Sequence, residues 1–440
     1  MLNYIKKFFI RKTIKDIVTF QTSSFVNQVI NALSSIILAR ILGPTKYGIY
    51  SLIFIFISLV TIADINFNKT AIVLLPEAYA AKNKEEVKKI LTYLLKIRLF
   101  VYLPIYAVLI MAAPVLTDYL YNNHQIGEFA RLILFAAYLS SFTDILNLNL
   151  ESRRKIKFLA LVENSTVFLK NLLPIAFILL GFEIFGLALG YALALIIVSL
   201  VSFIIYYVWS KKDEYIPSFI FLIKNLNQVK ITYNFNFNFS MILDSKLGNF
   251  WGNLPLLVLS LISTPAIIGF WKIAYSYVSL PMVLLNSISR LLNVKFPQDK
   301  VKDINLLKRN FYFSSLITGV IFIGLSLPFI FLAKYLIPLF YGSEFIPAVE
   351  ISYWLGASLI ASGFAIGFGP IYRAAKKVHL SIIFNALRAL IGILIFIFSF
   401  FIFKVSPLAS ILLFQLFIGL LCTPVHFWYV KRLVIEKINN

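Results

Sequence analysis

The chain has 440 residues, of which 60% are hydrophobic and only 14% are charged, whereas about a quarter are charged in ordinary globular proteins. This composition excludes a soluble enzyme, a disordered scaffold and a disulfide-stapled secreted domain, because the polar groups cannot cover the apolar surface. The single cysteine, Cys422, excludes an internal disulfide, and the three histidines lie too far apart in sequence for metal-ligand spacing. No metal and no cofactor is therefore predicted.

Long apolar stretches follow one another along the whole chain. A helix needs about 20 mainly apolar residues to cross the hydrocarbon core of a bilayer, and its backbone groups must be paired within the segment. Residues 234–239 alternate Asn and Phe like a strand, but an isolated strand in lipid would leave its backbone unpaired. We therefore predict twelve helical spans, at about 17–38, 47–66, 95–116, 128–149, 159–181, 184–209, 236–261, 266–291, 310–333, 346–371, 380–403 and 407–430.

An internal repeat relates the two halves of the chain. A shift of 221 residues places Pro44 on Pro265 and Gly48 on Gly269. The predicted fold class is an all-α polytopic membrane protein with about twelve spans in two pseudo-symmetric lobes of six, which is a hallmark of transporters. The predicted parts are an N-terminal lobe of residues 1–210, a cytoplasmic linker of residues 211–235 and a C-terminal lobe of residues 236–440.

The basic residues test this topology. Most of the 41 Lys and Arg residues fall in the segments that lie inside if both termini are cytoplasmic, which is what the positive-inside rule demands. The net charge of +22 is then a topology signal and an attraction to anionic membrane lipids, and no nucleic-acid partner is predicted.

Several charged and amide side chains lie inside the predicted spans. A charge held there costs about 2.5–3.5 kcal/mol on insertion scales and marks a functional-site hypothesis. A cationic interior suits an anionic cargo, since Lys and Arg bind phosphate oxygens well. Amide stripes could instead only hold helices together, and some of the lysines could snorkel to the interface. The substrate-binding candidates are Lys170, Arg388, Lys246, Lys272, Asn27, Asn31 and Asn249.

Four carboxylates are weaker candidates for binding the proton or Na⁺ of an ion gradient. Three of them lie near the ends of predicted spans. The fourth, Glu163, could form a structural ion pair with Lys170, although two helical turns separate them. The ion-coupling candidates are Asp64, Asp144, Asp244 and Glu163.

Three stretches resemble turns of the O-antigen and polysaccharide flippases, namely residues 38–51, 64–71 and 268–274. The sequence departs from the family pattern at Asn66, where Gly is usual, and at Trp271. The resemblance implies membership of the multidrug/oligosaccharidyl-lipid/polysaccharide exporter superfamily, whose flippases move undecaprenyl-pyrophosphate-linked sugar repeat units. Relatives have cationic cavities, which the intramembrane lysines and arginine fit in kind.

The expected function is a flippase, without enzymatic activity, in the bacterial cytoplasmic (inner) membrane. It would carry a polyprenyl-pyrophosphate-linked oligosaccharide by alternating access, through a cationic cleft between the lobes, with membrane lipids, a glycan polymerase and other polysaccharide-assembly proteins as partners. The sequence contains no phosphate-binding loop of the Gly-x-x-x-x-Gly-Lys-Ser/Thr type, which argues against direct use of ATP. The alternatives are a cation-coupled multidrug exporter of the same superfamily and, less favoured, a membrane glycan polymerase or glycosyltransferase.

Overall fold

The computed structural model describes the chain except for residues 1, 62–67, 154, 231–252, 283–287, 290, 291, 294, 297, 298, 301, 302, 376 and 436–440. The described residues form helices joined by short turns, and no strand occurs among them. Numbered in chain order, the helices are α1 (Leu2–Val60), α2 (Asn68–Ala80), α3 (Lys84–Ile97), α4 (Leu103–Tyr121), α5 (His124–Ser140), α6 (Thr143–Ser152), α7 (Ile156–Phe177), α8 (Glu183–Lys212), α9 (Phe219–Lys224), α10 (Asn253–Ile262), α11 (Pro265–Val278), α12 (Ile304–Tyr341), α13 (Pro347–Leu359), α14 (Phe368–Ala375), α15 (Val378–Ile397), α16 (Pro407–Leu416) and α17 (Cys422–Val430). Single π-helical turns occur at Arg98–Tyr102, Ile178–Phe182, Phe398–Ile402, Phe417–Leu421 and Lys431–Ile435.

Two glycines divide the longest helical stretches into pairs of spans. The stretch Gln21–Val60 has 40 residues and Ile156–Lys212 has 57, or about 60 and 85 Å of helix at 1.5 Å per residue. Both lengths far exceed the roughly 30 Å of a hydrocarbon core. Each stretch breaks at a glycine with positive φ, Gly43 (φ 66°) and Gly181 (φ 92°), a backbone conformation that glycine adopts without steric cost.

The apolar helices confirm the predicted fold class. Seven described stretches are long and apolar enough to cross a membrane, or eight if the bent pair of α5 and α6 forms one span. Two of these stretches break at a glycine and count as two spans each. Together the stretches correspond to all six predicted spans of the first half and the last four of the second half. The predicted spans 236–261 and 266–291 lie partly outside the described residues, and so do residues 234–239 with their alternating pattern.

The chain forms two compact units. The first comprises Met1–Ser34 and Ile53–Lys246, and the second comprises Ser35–Leu52 and Leu247–Asn440. Residues 35–52, which include the kink of α1 at Gly43, therefore belong to the same unit as the second half of the chain. The predicted limits of the lobes and of the linker stay a prediction.

In the first unit, the amphipathic helix α3 packs into the protein. Asn83 accepts a hydrogen bond from the backbone N–H of Glu86 at 3.0 Å and so caps the helix, as the spacing of the two residues predicts. The apolar face of α3 joins a buried cluster with α2, α6 and the short helix α9. This buried face favours a helix that connects two spans over one that lies on the membrane surface.

Two ion pairs hold the end of α8 against neighbouring helices of the first unit. Asp213 pairs with Arg153, and Glu214 pairs with Lys84. The hydrogen bond and the charge of Lys84 hold the pKa of the Glu214 carboxyl below its usual value. Both pairs lie at or near the ends of apolar stretches, where charged side chains can reach water.

In the second unit, the two repeats meet at a close backbone contact. A Cβ atom on Gly48 would lie 1.7 Å from the carbonyl oxygen of Pro265, and one on Gly269 would lie 2.5 Å from that of Pro44. The shift of 221 residues aligns the two prolines with each other and the two glycines with each other. Each glycine contacts the proline of the other repeat, so the contact between the repeats is reciprocal. Arg40 further ties this turn to α12 through hydrogen bonds to the backbone oxygens of Phe340 (2.7 Å) and Leu339.

Candidate functional site

The polar stripe of α1 in the first unit pairs with α7. Ser23 Oγ donates a hydrogen bond to Asn164 Oδ1 at 2.5 Å, and Asn171 Nδ2 donates to Asn31 Oδ1 at 2.9 Å. The two pairs follow the same order along both helices, so α1 and α7 run parallel. The Asn171–Asn31 bond is the kind of contact that the alternative of amide glue predicts.

Asn27 lies between those two pairs and differs from both. Its side-chain oxygen Oδ1 is buried and finds no hydrogen-bond donor among the described residues. A buried acceptor without a donor costs about 1–3 kcal/mol. Asn27 therefore remains a candidate for contact with a bound molecule, whereas Asn31 is accounted for by Asn171.

Lys170 is the intramembrane cation of the first unit. Its side chain is partly buried on α7, and its Nζ lies 5.3 Å from the ring centroid of Tyr191 on α8. The negative face of an aromatic ring attracts a cation at this distance. Asp144 exerts a coulombic attraction on the Lys170 ammonium, but no carboxylate of the described residues lies within 4 Å of it, Glu163 included. The alternative in which Glu163 and Lys170 form a structural ion pair is therefore not realised.

A buried arginine joins this group, and the sequence analysis missed it. Arg98 belongs by sequence to a basic segment that the topology places in water, yet its side chain is only 1% exposed. It donates hydrogen bonds to the backbone oxygens of Ser141 (2.7 Å) and Leu94 (3.0 Å), and its NH2 atom lies 3.9 Å from Asp144 Oδ2. Arg98 also opens a π-helical turn, a feature frequent at functional sites.

Asp144 thereby becomes the best defined of the ion-coupling candidates. Its carboxylate is 46% exposed, lies 3.9 Å from the buried guanidinium of Arg98 and attracts the ammonium of Lys170. Its exposed part leaves room for a proton or a cation to reach the carboxylate oxygens.

Arg388 is the intramembrane cation of α15 in the second unit. It is partly buried and forms no ion pair or hydrogen bond with the described residues. Its charge acts on two side chains of α17, Cys422 and His426. His426 is 7% exposed, shares a hydrogen bond of 3.0 Å with the hydroxyl of Tyr372, and stacks on Phe384 at 3.9 Å between ring centroids.

Lys272 is the second intramembrane cation of this unit. It lies on α11, three residues after the close contact of Gly269, and is partly buried. No hydrogen bond or ion pair joins it to any part of the chain that the structure describes. The structure thus describes three of the four predicted cations, and no carboxylate of the described residues lies within ion-pair distance of any of them.

The other predicted site residues lie outside the described part of the chain. Two of them, Lys246 and Asn249, are substrate-binding candidates, and two, Asp64 and Asp244, are ion-coupling candidates. Within the described residues, no group of three or more His, Cys, Asp or Glu side chains has the arrangement of a metal site.

Comparison with known proteins decides the family. The sequence profile of the family described as polysaccharide biosynthesis protein matches residues 13–298, well over half of the chain. The chain belongs to this family. No curated protein matches the sequence.

Solved structures decide the fold. A multidrug resistance MATE family transporter of the MOP superfamily, solved in an inward-facing conformation, has a TM-score of 0.75 at 17% identity, covering 94% of this chain and 95% of its own. A MOP superfamily transporter from Pyrococcus furiosus, whose binding pocket is described as having reverse polarity, has a TM-score of 0.67 at 16% identity, covering 97% and 96%. The chain therefore has the fold of these transporters. The predicted family resemblance and the prediction that the chain is not an enzyme are both confirmed.

Proposed function

We propose that the chain is a flippase that moves polyprenyl-pyrophosphate-linked oligosaccharides across the bacterial cytoplasmic membrane by alternating access. The proposal rests on the burial and the partners of three cations inside the predicted spans, namely Lys170, Lys272 and Arg388. Each is partly buried, and none has a carboxylate within ion-pair distance in the described residues. Since a cation in the bilayer costs about 2.5–3.5 kcal/mol, a protein that keeps three of them without carboxylate partners suits an anionic cargo.

A pyrophosphate headgroup has the chemistry that these side chains bind best. Lysine and arginine form charge-assisted hydrogen bonds with phosphate oxygens, and these bonds are about twice as strong as neutral ones. The unsatisfied amide oxygen of Asn27 would accept a hydrogen bond from a sugar hydroxyl. The polyprenyl tail would stay among the lipids, and membership of a polysaccharide biosynthesis family supports this class of cargo.

Asp144 is the proposed ion-coupling residue. Protonation of its carboxylate would remove the attraction that it exerts on Lys170, and this would change how firmly Lys170 binds an anion. Glu163 is a second candidate for the same role, as are Asp64 and Asp244. A glycan polymerase and other polysaccharide-assembly proteins are the proposed partners.

The test is transport of a fluorescent polyprenyl-pyrophosphate sugar in proteoliposomes. Lys170→Gln and Arg388→Gln should each lower the flipping rate about tenfold, because each removes a charge-assisted contact worth about 1.5–3 kcal/mol. Lys404→Gln is the matched control, since Lys404 is exposed at the end of a helix and should leave the rate unchanged. Normal flipping by both interior variants, at native protein levels, would contradict the proposal.

A multidrug exporter is the second candidate, because the structural neighbours include multidrug MATE transporters. Such a protein would need carboxylates for cationic drugs. Efflux of a cationic dye from the same proteoliposomes, lost in Asp144→Asn and kept in Lys170→Gln, would favour this candidate over the flippase.

A further inference from the structure

A cavity lies between two helices of the second unit, and none of its lining residues is one of the cations described above. Its volume is about 450 Å³, within the range of small-molecule sites. Glu350 and Trp354 of α13 line one side, and apolar residues of α16, among them Leu408, Leu412 and Leu413, line the other. The cavity therefore combines one carboxylate, one indole and an aliphatic wall.

The position of this cavity along the helices places it near a membrane surface. The apolar stretches Pro347–Ala375 and Pro407–Val434 are both long enough to cross a bilayer, and both begin at the cavity. Glu350 lies in the first turn of its helix, and Trp354 follows one turn later. Tryptophan is enriched at the level of the lipid headgroups, so the polar end of the cavity lies where headgroups lie and its leucines lie where acyl chains begin.

The carboxylate that lines the cavity has no partner among the residues that the structure describes. Glu350 forms no ion pair or hydrogen bond with any described residue, and its side chain is exposed. A carboxylate that no described residue neutralises favours a cationic ligand group and repels an anionic one. Trp354 is 42% exposed beside it, and the face of an indole is the best aromatic surface for an ammonium ion.

We propose that this cavity binds phosphatidylethanolamine, a membrane lipid with an ammonium headgroup. The ammonium group donates hydrogen bonds to the Glu350 carboxylate and lies against the indole of Trp354. One acyl chain follows the wall formed by Leu408, Leu412 and Leu413. The volume of about 450 Å³ accommodates the headgroup and the upper part of one chain, and the remainder of the lipid stays in the bilayer.

Native mass spectrometry of the full chain, released from micelles that contain defined lipids, tests the proposal. Phosphatidylethanolamine should remain bound in preference to phosphatidylglycerol, whose headgroup carries no cation. Glu350→Gln should weaken retention of phosphatidylethanolamine about tenfold, as expected for the loss of one charge-assisted hydrogen bond. Glu344→Gln is the matched control, because Glu344 is exposed on the neighbouring turn Ser343–Phe345 and does not line the cavity.

A second variant tests the same cavity in case Glu350→Gln does not fold. Leu412→Trp fills the cavity without changing its charge and should also reduce retention of phosphatidylethanolamine. Equal retention by the wild type, Glu350→Gln and Leu412→Trp would overturn the proposal, and so would a preference for phosphatidylglycerol that both variants leave unchanged. Displacement of the lipid only by cationic amphiphiles in large excess supports the lipid as occupant, whereas displacement at equal concentration overturns it in favour of a drug-like ligand.

Discussion

Replacing Gly48 by alanine tests the reciprocal contact between the two repeats. The added Cβ would lie 1.7 Å from the carbonyl oxygen, 2.4 Å from the carbonyl carbon and 3.1 Å from the Cα of Pro265. Real Cβ atoms do not approach other heavy atoms closer than 3.0 Å, so the two backbones must separate by about 1.3 Å. The obstacle is backbone, which cannot change rotamer, and close-packed interiors transmit such a shift.

The cost can be worked out from two opposing effects. Overpacking a close contact costs about 1–3 kcal/mol, and a clash with backbone belongs at the upper end. Alanine gains about 0.5–1 kcal/mol over glycine in a helix. The expected net loss is therefore about 2 kcal/mol in the free energy of unfolding.

Unfolding in mixed detergent–SDS micelles measures this loss, and Gly324→Ala supplies the matched control. Gly324 also lies inside a helix, α12, but a Cβ there meets nothing within 4 Å. The control should be as stable as the wild type or slightly more stable. If Gly48→Ala unfolds at the same SDS fraction as Gly324→Ala, the reasoning from close backbone contact is wrong.

Two further predictions concern the first unit. Arg98→Leu should destabilise the protein by about 2–4 kcal/mol, and by more than Asp144→Asn does. The reason is that the guanidinium also donates hydrogen bonds to two backbone oxygens, whereas the carboxylate is half exposed. Equal losses of stability for the two variants in SDS unfolding would contradict this ranking. Gly181→Ala should lower the free energy of unfolding by about 1–2 kcal/mol through backbone strain alone, since φ is 92° and a Cβ there meets no atom within 4 Å. An unchanged unfolding transition would show that the kink between α7 and α8 does not require glycine.

The membrane class and most spans could be predicted from local sequence, because the cost of exposing backbone groups to lipid acts on every residue of a span. The same local logic predicts the cap at Asn83, since the side chain and the N–H that it accepts lie three residues apart. The repeat was also visible in the sequence, since Pro44 and Gly48 recur as Pro265 and Gly269 at a constant distance.

The candidate site depended on contacts between distant residues. Asn27 and Asn31 lie on the same face of one helix, yet only Asn31 finds an amide, Asn171, 140 residues away. Arg98 follows a run of lysines and looks like another surface charge, whereas the turn at Ser141 brings its acceptor to it. Periodicity cannot distinguish these cases, because it shows which face a residue occupies and not what that face meets.

The sequence by itself determined that the chain is a helical membrane protein, that its halves repeat, and which cations lie within its spans, because solvation by lipid acts residue by residue. Only the tertiary structure decided which of those polar groups are neutralised. It paired Asn31 with Asn171, buried Arg98 beside Asp144, and placed no carboxylate of the described residues within ion-pair distance of Lys170 or Arg388. The reason is physical: the charge state and partners of a buried group are set by the side chains that folding brings within a few ångströms of it.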